Sequence, residues 1–211
     1  NSIGLPTLQG YGLTEASPVV SCNLPDLVKV DTVGPPFSTN KVKINPDGEI
    51  LVKGENVMMG YWNKETETKE ILKNGWLHTG DVGSLDSEGY LKITDRKKDI
   101  IINLGGDNIS PSKIENYLCL NEKIKQAFVY GDKKNYLVAL IVVEREVNKE
   151  IIKTIIEKLN KNLTLIEKIK KFILIHDEFT INNRMLTPTL KLKRKEITKN
   201  YKQQLENLYL N

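Results

Sequence analysis

Two cysteines, Cys22 and Cys119, and two histidines, His78 and His176, are all that 211 residues hold of the thiol and imidazole side chains. The cysteines stand far apart with no companion at metal-ligand spacing, so neither a zinc site nor a disulfide framework is expected, and both read as reduced and structural. Two histidines are too few for a histidine-built metal site or a Ser-His triad, which sets aside the hydrolases that need one. No apolar run approaches the roughly 20 residues that span a bilayer, and the first residues lack the charged-then-apolar pattern of an export signal. A cytoplasmic globular protein is expected, long enough for one or two domains with an ordinary core.

Charge is plentiful and uneven. The net charge is +4, but residues 1–95 hold 8 Lys/Arg against 13 Asp/Glu, and subtraction from the totals of 31 and 27 leaves 23 against 14 for residues 96–211, so the halves carry −5 and +9. Opposite signs on adjacent halves imply that they close on one another, or that the basic half meets an anion such as a nucleotide, a coenzyme or a nucleic acid. The division falls inside Tyr90 to Glu115, YLKITDRKKDIIINLGGDNISPSKIE. A strand is predicted over Tyr90 to Thr94, followed by the consecutive charges Asp95, Arg96, Lys97, Lys98 and Asp99, the apolar run Ile100 to Ile102, and Gly105-Gly106. Ser110 before Pro111 marks a helix start, because serine caps free amides and proline suits the first helical position. The charged joint is expected on a surface or lining a cleft, since unpaired buried charge is costly.

The chain opens with NSIGLPTLQGYGLTEASP, a loop-like segment. Gly10, Tyr11, Gly12, Leu13, Thr14 and Glu15 place a ring, two flexible backbone positions, a hydroxyl and a carboxylate together, a set able to stack a base, donate to a phosphate and hold a hard cation such as Mg²⁺. An ordinary glycine-rich turn with a helix cap at Thr14 is the alternative. A hairpin is predicted from Lys41-Val42-Lys43-Ile44, the turn Asn45-Pro46-Asp47-Gly48 and Glu49 to Lys53, then a short polar helix over Lys64 to Leu72. In Gly75 to Asp81, GWLHTGD, an acid follows glycine at the end of an apolar segment. Asp81 there can accept both hydroxyls of a ribose diol, or can be a turn aspartate bonded to its own backbone. With the turn Asp86 to Gly89, the first half reads as a small, mostly β unit.

In the second half a helix is predicted from Pro111 to about Leu120, and a hairpin from Gln126 to Tyr130 and Tyr136 to Val143. Ile151, Ile152, Ile155, Ile156, Leu159 and Leu163 recur at helical spacing as a core stripe. A strand over Lys171 to Ile175 and an amphipathic helix over Lys195 to Leu210 complete an α+β domain. Phe179 to Arg194 is expected to be too irregular for core. The basic cluster Lys191, Lys193, Arg194 and Lys195 reads as a solvated helix start or a phosphate contact, but no aromatics interleave with it and no nucleic acid is expected.

YGLTE at Tyr11 to Glu15, GWLHTGD, the DRKKD and GGDNISP of the central stretch, and TPTLKLKR at Thr187 to Arg194 stand in an order that resembles the adenylate-forming superfamily of acyl-CoA synthetases, peptide-synthetase adenylation domains and luciferases. QGYGLTEASP, GEILVKGENVMMGYW and TPTLKLKR look most like its long-chain fatty acyl-CoA synthetase branch. The resemblance implies an α+β fold in which residues 1–95 form the β-rich end of the large AMP-binding domain and residues 96–211 a mobile lid. It implies ATP-dependent activation of a fatty acid to acyl-AMP and then acyl-CoA. Nothing here matches the family's Ser/Thr/Gly-rich phosphate loop or most of its acyl pocket, so the missing N-terminal domain counts as a partner, any peripheral membrane contact belongs to it, and these residues alone are expected to be inactive. A non-catalytic nucleotide-, CoA- or partner-binding fragment is the alternative.

Residue by residue, the resemblance implies that Tyr11 stacks on adenine within the Gly10 to Gly12 segment, Thr14 meets the phosphates and Glu15 holds Mg²⁺. Asp81 and Arg96 would hold the ribose hydroxyls, Lys98 is the hinge, and Gly105 and Gly106 line the CoA channel. Lys191 matches the catalytic lysine, although Leu190 replaces the glycine common before it and Lys193 stands close enough to compete.

Overall fold

The computed structural model describes residues 7–210, so residues 1–6 of the opening segment lie outside the described residues. The chain divides into two compact units, Asn1–Lys98 and Asp99–Asn211. Both mix helix and sheet, and the fold is α+β.

The first unit opens with structure where a loop is expected. Strands β1 (Gly10–Gly12) and β2 (Val19–Cys22) pair antiparallel, joined by a 3₁₀ turn at Thr14–Ala16. Its preceding residue is Leu13, which makes no side-chain cap, so Thr14 begins the turn and does not cap it. Ala16 and Val20 are fully buried, and this tertiary burial makes an ordered hairpin of a glycine-rich segment. Strands β3 (Asn40–Ile44) and β4 (Glu49–Gly54) form the predicted hairpin, and helix α1 covers Glu65–Ile71. Strand β5 (Leu72–Lys73) and the long strand β6 (Trp76–Leu85) follow, then β7 (Leu91–Arg96). The sheet order is β3-β4-β6-β5, with β7 also on β6. The outcome differs from the sequence reading at GWLHTGD: the segment is strand through Asp81, and Asp81 is 3% exposed. Asp95 is also buried, its carboxylate accepting the Arg96 N–H at 2.7 Å, so the charged joint is only partly a surface feature. Ile50, Val52, Leu77 and Leu91 fill the core beneath.

The second unit begins with a small ribbon, β8 (Ile101–Ile102) against β9 (Asn108–Ile109). Helix α2 (Pro111–Cys119) starts as its sequence dictates, with Pro111 at the first position and the Ser110 hydroxyl accepting the Lys113 N–H. Strands β10 (Gln126–Tyr130) and β11 (Leu137–Val142) pair antiparallel, and β12 (Ile169–Ile175) adds to β11 in parallel. Every residue of β11 is buried, the continuous apolar run expected of a central strand covered on both faces. Helix α3 (Lys149–Asn160) lays Ile152 and Ile156 on one face, and α4 (Arg194–Asn207) buries Ile197 and Leu205 on the other. Phe179 and Leu186 belong to that second core. The Phe179 to Arg194 segment is therefore partly core despite its irregular sequence, because apolar anchors separated by polar residues need no periodicity to be buried. Among the described residues no helix is long and apolar enough to cross a membrane.

Candidate functional site

Three of the expected nucleotide-site residues meet within the first unit. The pairing of β6 with β7 sets Asp81 opposite Arg96, and Arg96 Nε lies 2.7 Å from Asp81 Oδ1. Tyr11, 70 positions earlier, donates its hydroxyl to Asp81 Oδ2 at 2.6 Å. Burial, followed by this bond to a carboxylate, pushes the Tyr11 phenol far above its ordinary range, so the ring keeps its proton. Asp81 is held in turn by Thr79, whose hydroxyl accepts the Asp81 N–H at 3.1 Å and donates to the Ile50 carbonyl at 2.7 Å. The result is a buried carboxylate with a fixed direction, which the turn-aspartate alternative does not describe.

A cleft of about 460 Å³ opens alongside, lined by Gly10, Tyr11, Gly12, Leu13, Thr14, Pro18, Val19 and Cys22. Its lining takes in Tyr11 and Thr14 but not Asp81 or Arg96, and Tyr11 is the link between cleft and carboxylate. Glu15 is half-buried and its Oε1 accepts the Tyr61 hydroxyl at 2.6 Å. That bond, with some desolvation, raises the Tyr61 phenol to about 12. Among the described residues no group of three His, Cys, Asp or Glu side chains gathers. A single carboxylate fits Mg²⁺, which binds through one or two carboxylates plus substrate phosphates and keeps several waters, and does not fit a zinc or calcium cage.

Next to this cluster lies a second one that the sequence alone did not reveal. Lys97 Nζ reaches Asp47 at 2.6 Å and Glu49 at 3.0 Å, while Glu49 also meets His78 Nδ1 at 3.1 Å and the Gly80 N–H at 3.1 Å. Burial by itself would raise the Glu49 carboxyl, but these donors outweigh it and hold it below its ordinary value. Glu49 thereby holds Gly80, the left-handed residue (φ 69°) beside Asp81. No local motif marks Glu49; only its pairing across the sheet does.

In the second unit the expected residues are distributed. Lys98 is exposed at the end of the first unit. Gly105 and Gly106 sit in an exposed turn between β8 and β9, where Gly106 has φ 85° and Asn103 and Asp107 bond each other. Lys191 is exposed on a tight turn whose ends are joined by Thr187 N–H to Lys191 O at 2.8 Å and Lys191 N–H to Thr187 Oγ1 at 3.0 Å. Lys193 is half-buried and stands at the N-cap of α4, its N–H bonded to Met185 O at 2.8 Å. Arg194 is no solvated helix start. Its Nη1 lies 2.9 and 3.0 Å from the two oxygens of Glu115, its Nη2 donates to Val129 O at 2.6 Å, and its guanidinium lies 4.7 Å over the Phe128 ring. This pair of a buried carboxylate and a half-buried guanidinium fastens the start of α4, next to the Lys191 turn, to α2 and β10.

A family model described as AMP-binding enzyme matches residues 2–62, and one described as AMP-binding enzyme C-terminal domain matches residues 98–211. The chain is similar to long-chain-fatty-acid–CoA ligase FadD15 of Mycobacterium bovis, at 35% identity over 98% of this chain and 38% of that protein. Among solved structures it is similar to the adenylation domain of a carboxylate reductase from Mycobacterium chelonae (TM-score 0.82, 26% identity, 97% of this chain and 35% of that one). It is also similar to an o-succinylbenzoate coenzyme A synthetase from Bacillus subtilis in complex with ATP and magnesium ion (TM-score 0.76, 32% identity, 91% of this chain and 41% of that one). The chain spans well under half the length of these relatives.

Proposed function

We propose, from the premise that this chain belongs to the AMP-binding enzyme family, that it contributes to an ATP-dependent ligase joining a fatty acid to coenzyme A. The observation that carries the reading is the Tyr11–Asp81–Arg96 cluster, in which a buried, oriented carboxylate joins an aromatic ring that lines a cleft and a guanidinium. Asp81 accepts the ribose hydroxyls by exchanging partners with Tyr11 or Arg96, and the Tyr11 ring offers a face to adenine. Thr14, on the cleft wall, donates to phosphate.

Joining a carboxylate to a phosphate brings two anions together, so the barrier is largely electrostatic and falls where positive charge is already in place. Mg²⁺ held at Glu15 would supply such charge at the phosphates. Lys191, exposed on a turn braced by the Arg194–Glu115 pair, brings its ammonium to the α-phosphate and carboxylate as they meet. Acyl-AMP and pyrophosphate result. Attack of the CoA thiol on the acyl-adenylate carbonyl then needs the lysine withdrawn, and rotation of the second unit about Lys98 brings the Gly105–Gly106 turn in its place. The phosphate loop and most of the acyl pocket are supplied by a further domain.

ATP/pyrophosphate exchange with a panel of fatty acids, on the longest natural form of the chain, tests this. Lys191→Ala is expected to lower adenylate formation by about a hundredfold or more, the size of effect seen when one preorganised charge-stabilising donor is lost, while leaving thioester formation from supplied acyl-AMP. If Lys193→Ala gives that phenotype instead, Lys193 is the catalytic lysine. No exchange with any carboxylic acid would overturn the ligase reading.

A further inference from the structure

Both working surfaces assigned to the second unit hang from one helix. α4 begins at Arg194, just after the Lys191 turn, and ends at Asn207. At about 1.5 Å rise per residue its two ends lie about 20 Å apart. The far end is tied to the loop between β10 and β11. Lys134 Nζ lies 2.5 Å from Glu206 Oε2, and the Tyr130 hydroxyl donates to Glu206 Oε1 at 3.1 Å. Beyond the helix, the Tyr209 hydroxyl lies 3.2 Å from Tyr130 O and 3.0 Å from Tyr136 O, and Lys134 Nζ sits 4.8 Å over its ring.

The same loop holds the glycine turn. Lys133 N–H donates to Ile102 O at 2.8 Å, Leu104 N–H donates to Lys134 O at 3.0 Å, and Ile102 N–H donates to Asp132 Oδ1 at 3.2 Å. Ile101 and Ile109 anchor the base of the β8–β9 ribbon in the core, but the turn itself is exposed and Leu104 is 67% exposed, so apolar burial does little to fix its tip. Beyond its own Asn103–Asp107 bonds, the tip is placed by these polar ties and by whatever fixes residues 132–134.

We infer that Glu206 and Tyr209 are positioning residues for the Gly105–Gly106 turn, acting through Lys134 and the β10–β11 loop, so that α4 carries the lysine turn at one end and steadies the thiol-side turn at the other. The inference rests on the proposed use of that turn in thioester formation. Neither residue touches the reacting atoms; their loss loosens the turn and spares the other end of the helix.

Glu206→Gln and Tyr209→Phe in the longest natural form test this by hydrogen exchange and by the two half-reactions measured apart. Exchange at the Ile102 and Leu104 amides should rise about threefold for Glu206→Gln, the worth of a partly exposed ion pair, and about fivefold for Tyr209→Phe, which removes the single hydroxyl proton shared between the Tyr130 and Tyr136 carbonyls. The KM for CoA should rise in parallel, with pyrophosphate exchange unchanged. The double variant Lys134→Glu, Glu206→Lys should restore part of the loss. Equal loss of both half-reactions marks a merely structural role and overturns the inference, as does unchanged amide exchange in both variants. Raised exchange with an unaltered thioester step overturns it too, and identifies the assignment of the turn as what failed.

Discussion

Leu190 shows how much one backbone angle can say. It stands at φ 61° in the Lys191 turn, where an L residue loses about 1–2 kcal/mol to contact between its Cβ and the following carbonyl. The glycine that the family commonly carries at this place avoids that contact. Leu190 is 69% exposed, so its side chain returns little through burial. Leu190→Gly is therefore expected to raise stability by about 1 kcal/mol, read as a later denaturant midpoint with unchanged slope. Glu115 lies at the opposite extreme. It accepts both the Arg194 guanidinium and the Val129 N–H, and Glu115→Ala removes these charge-assisted bonds while leaving the half-buried guanidinium its Val129 carbonyl and Phe128 ring, which costs about 2–3 kcal/mol. An equilibrium unfolding curve checks it; a loss under 1 kcal/mol would mean that Arg194 finds water. Leu190 could be flagged from the sequence, because a turn with a missing glycine is a local pattern. The Arg194–Glu115 pair could not, since its members are 79 positions apart.

Elements followed the sequence where their signals were local. The β3–β4 hairpin came from Asn-Pro-Asp-Gly and flanking alternation, and α2 from Ser110-Pro111. β12 was legible as a strand, but not its parallel pairing with β11, which depends on the crossover through α3. The 3₁₀ turn entering β12 carries a capping box in which Glu167 bonds the Thr164 hydroxyl and N–H, and Lys113 of α2 reaches Glu167 at 2.6 Å. Burial opposes ionisation of Glu167, but the three donors outweigh it and hold its carboxyl below the ordinary value. A depressed folded pKa means that this stabilisation is complete above the unfolded value of about 4.3 and is lost as pH falls through the folded one. Glu167→Gln is expected to flatten the acid limb of the stability–pH curve below about pH 4.3, with the largest deficit relative to the parent at neutral pH. An unchanged acid limb in thermal unfolding from pH 3 to 7 would show that the box contributes nothing through charge.

For the whole molecule, the division between Lys98 and Asp99 makes the joint itself a target. Lys98 is exposed, so its side chain owes little to packing, and a substitution there acts chiefly through backbone freedom. Lys98→Pro fixes φ near −65° and is expected to stop one half-reaction while leaving the other within a few-fold, as a trapped orientation of the second unit would. Adenylation and thioester formation are assayed separately, and equal loss of the two would count against rotation at this residue.

Motif composition, turn residues and helix signals are short-range properties, carried by neighbours along the chain, and they suffice to identify the family and the order of its motifs. Long-range packing makes Asp81 a buried strand residue gripped by Tyr11 and Arg96, sets Glu49 to steady Gly80 beside it, and turns Arg194 toward the core of the second unit. Each depends on a partner from a distant segment, and the free energy of burying a charge is set by that partner's geometry, which no local pattern encodes.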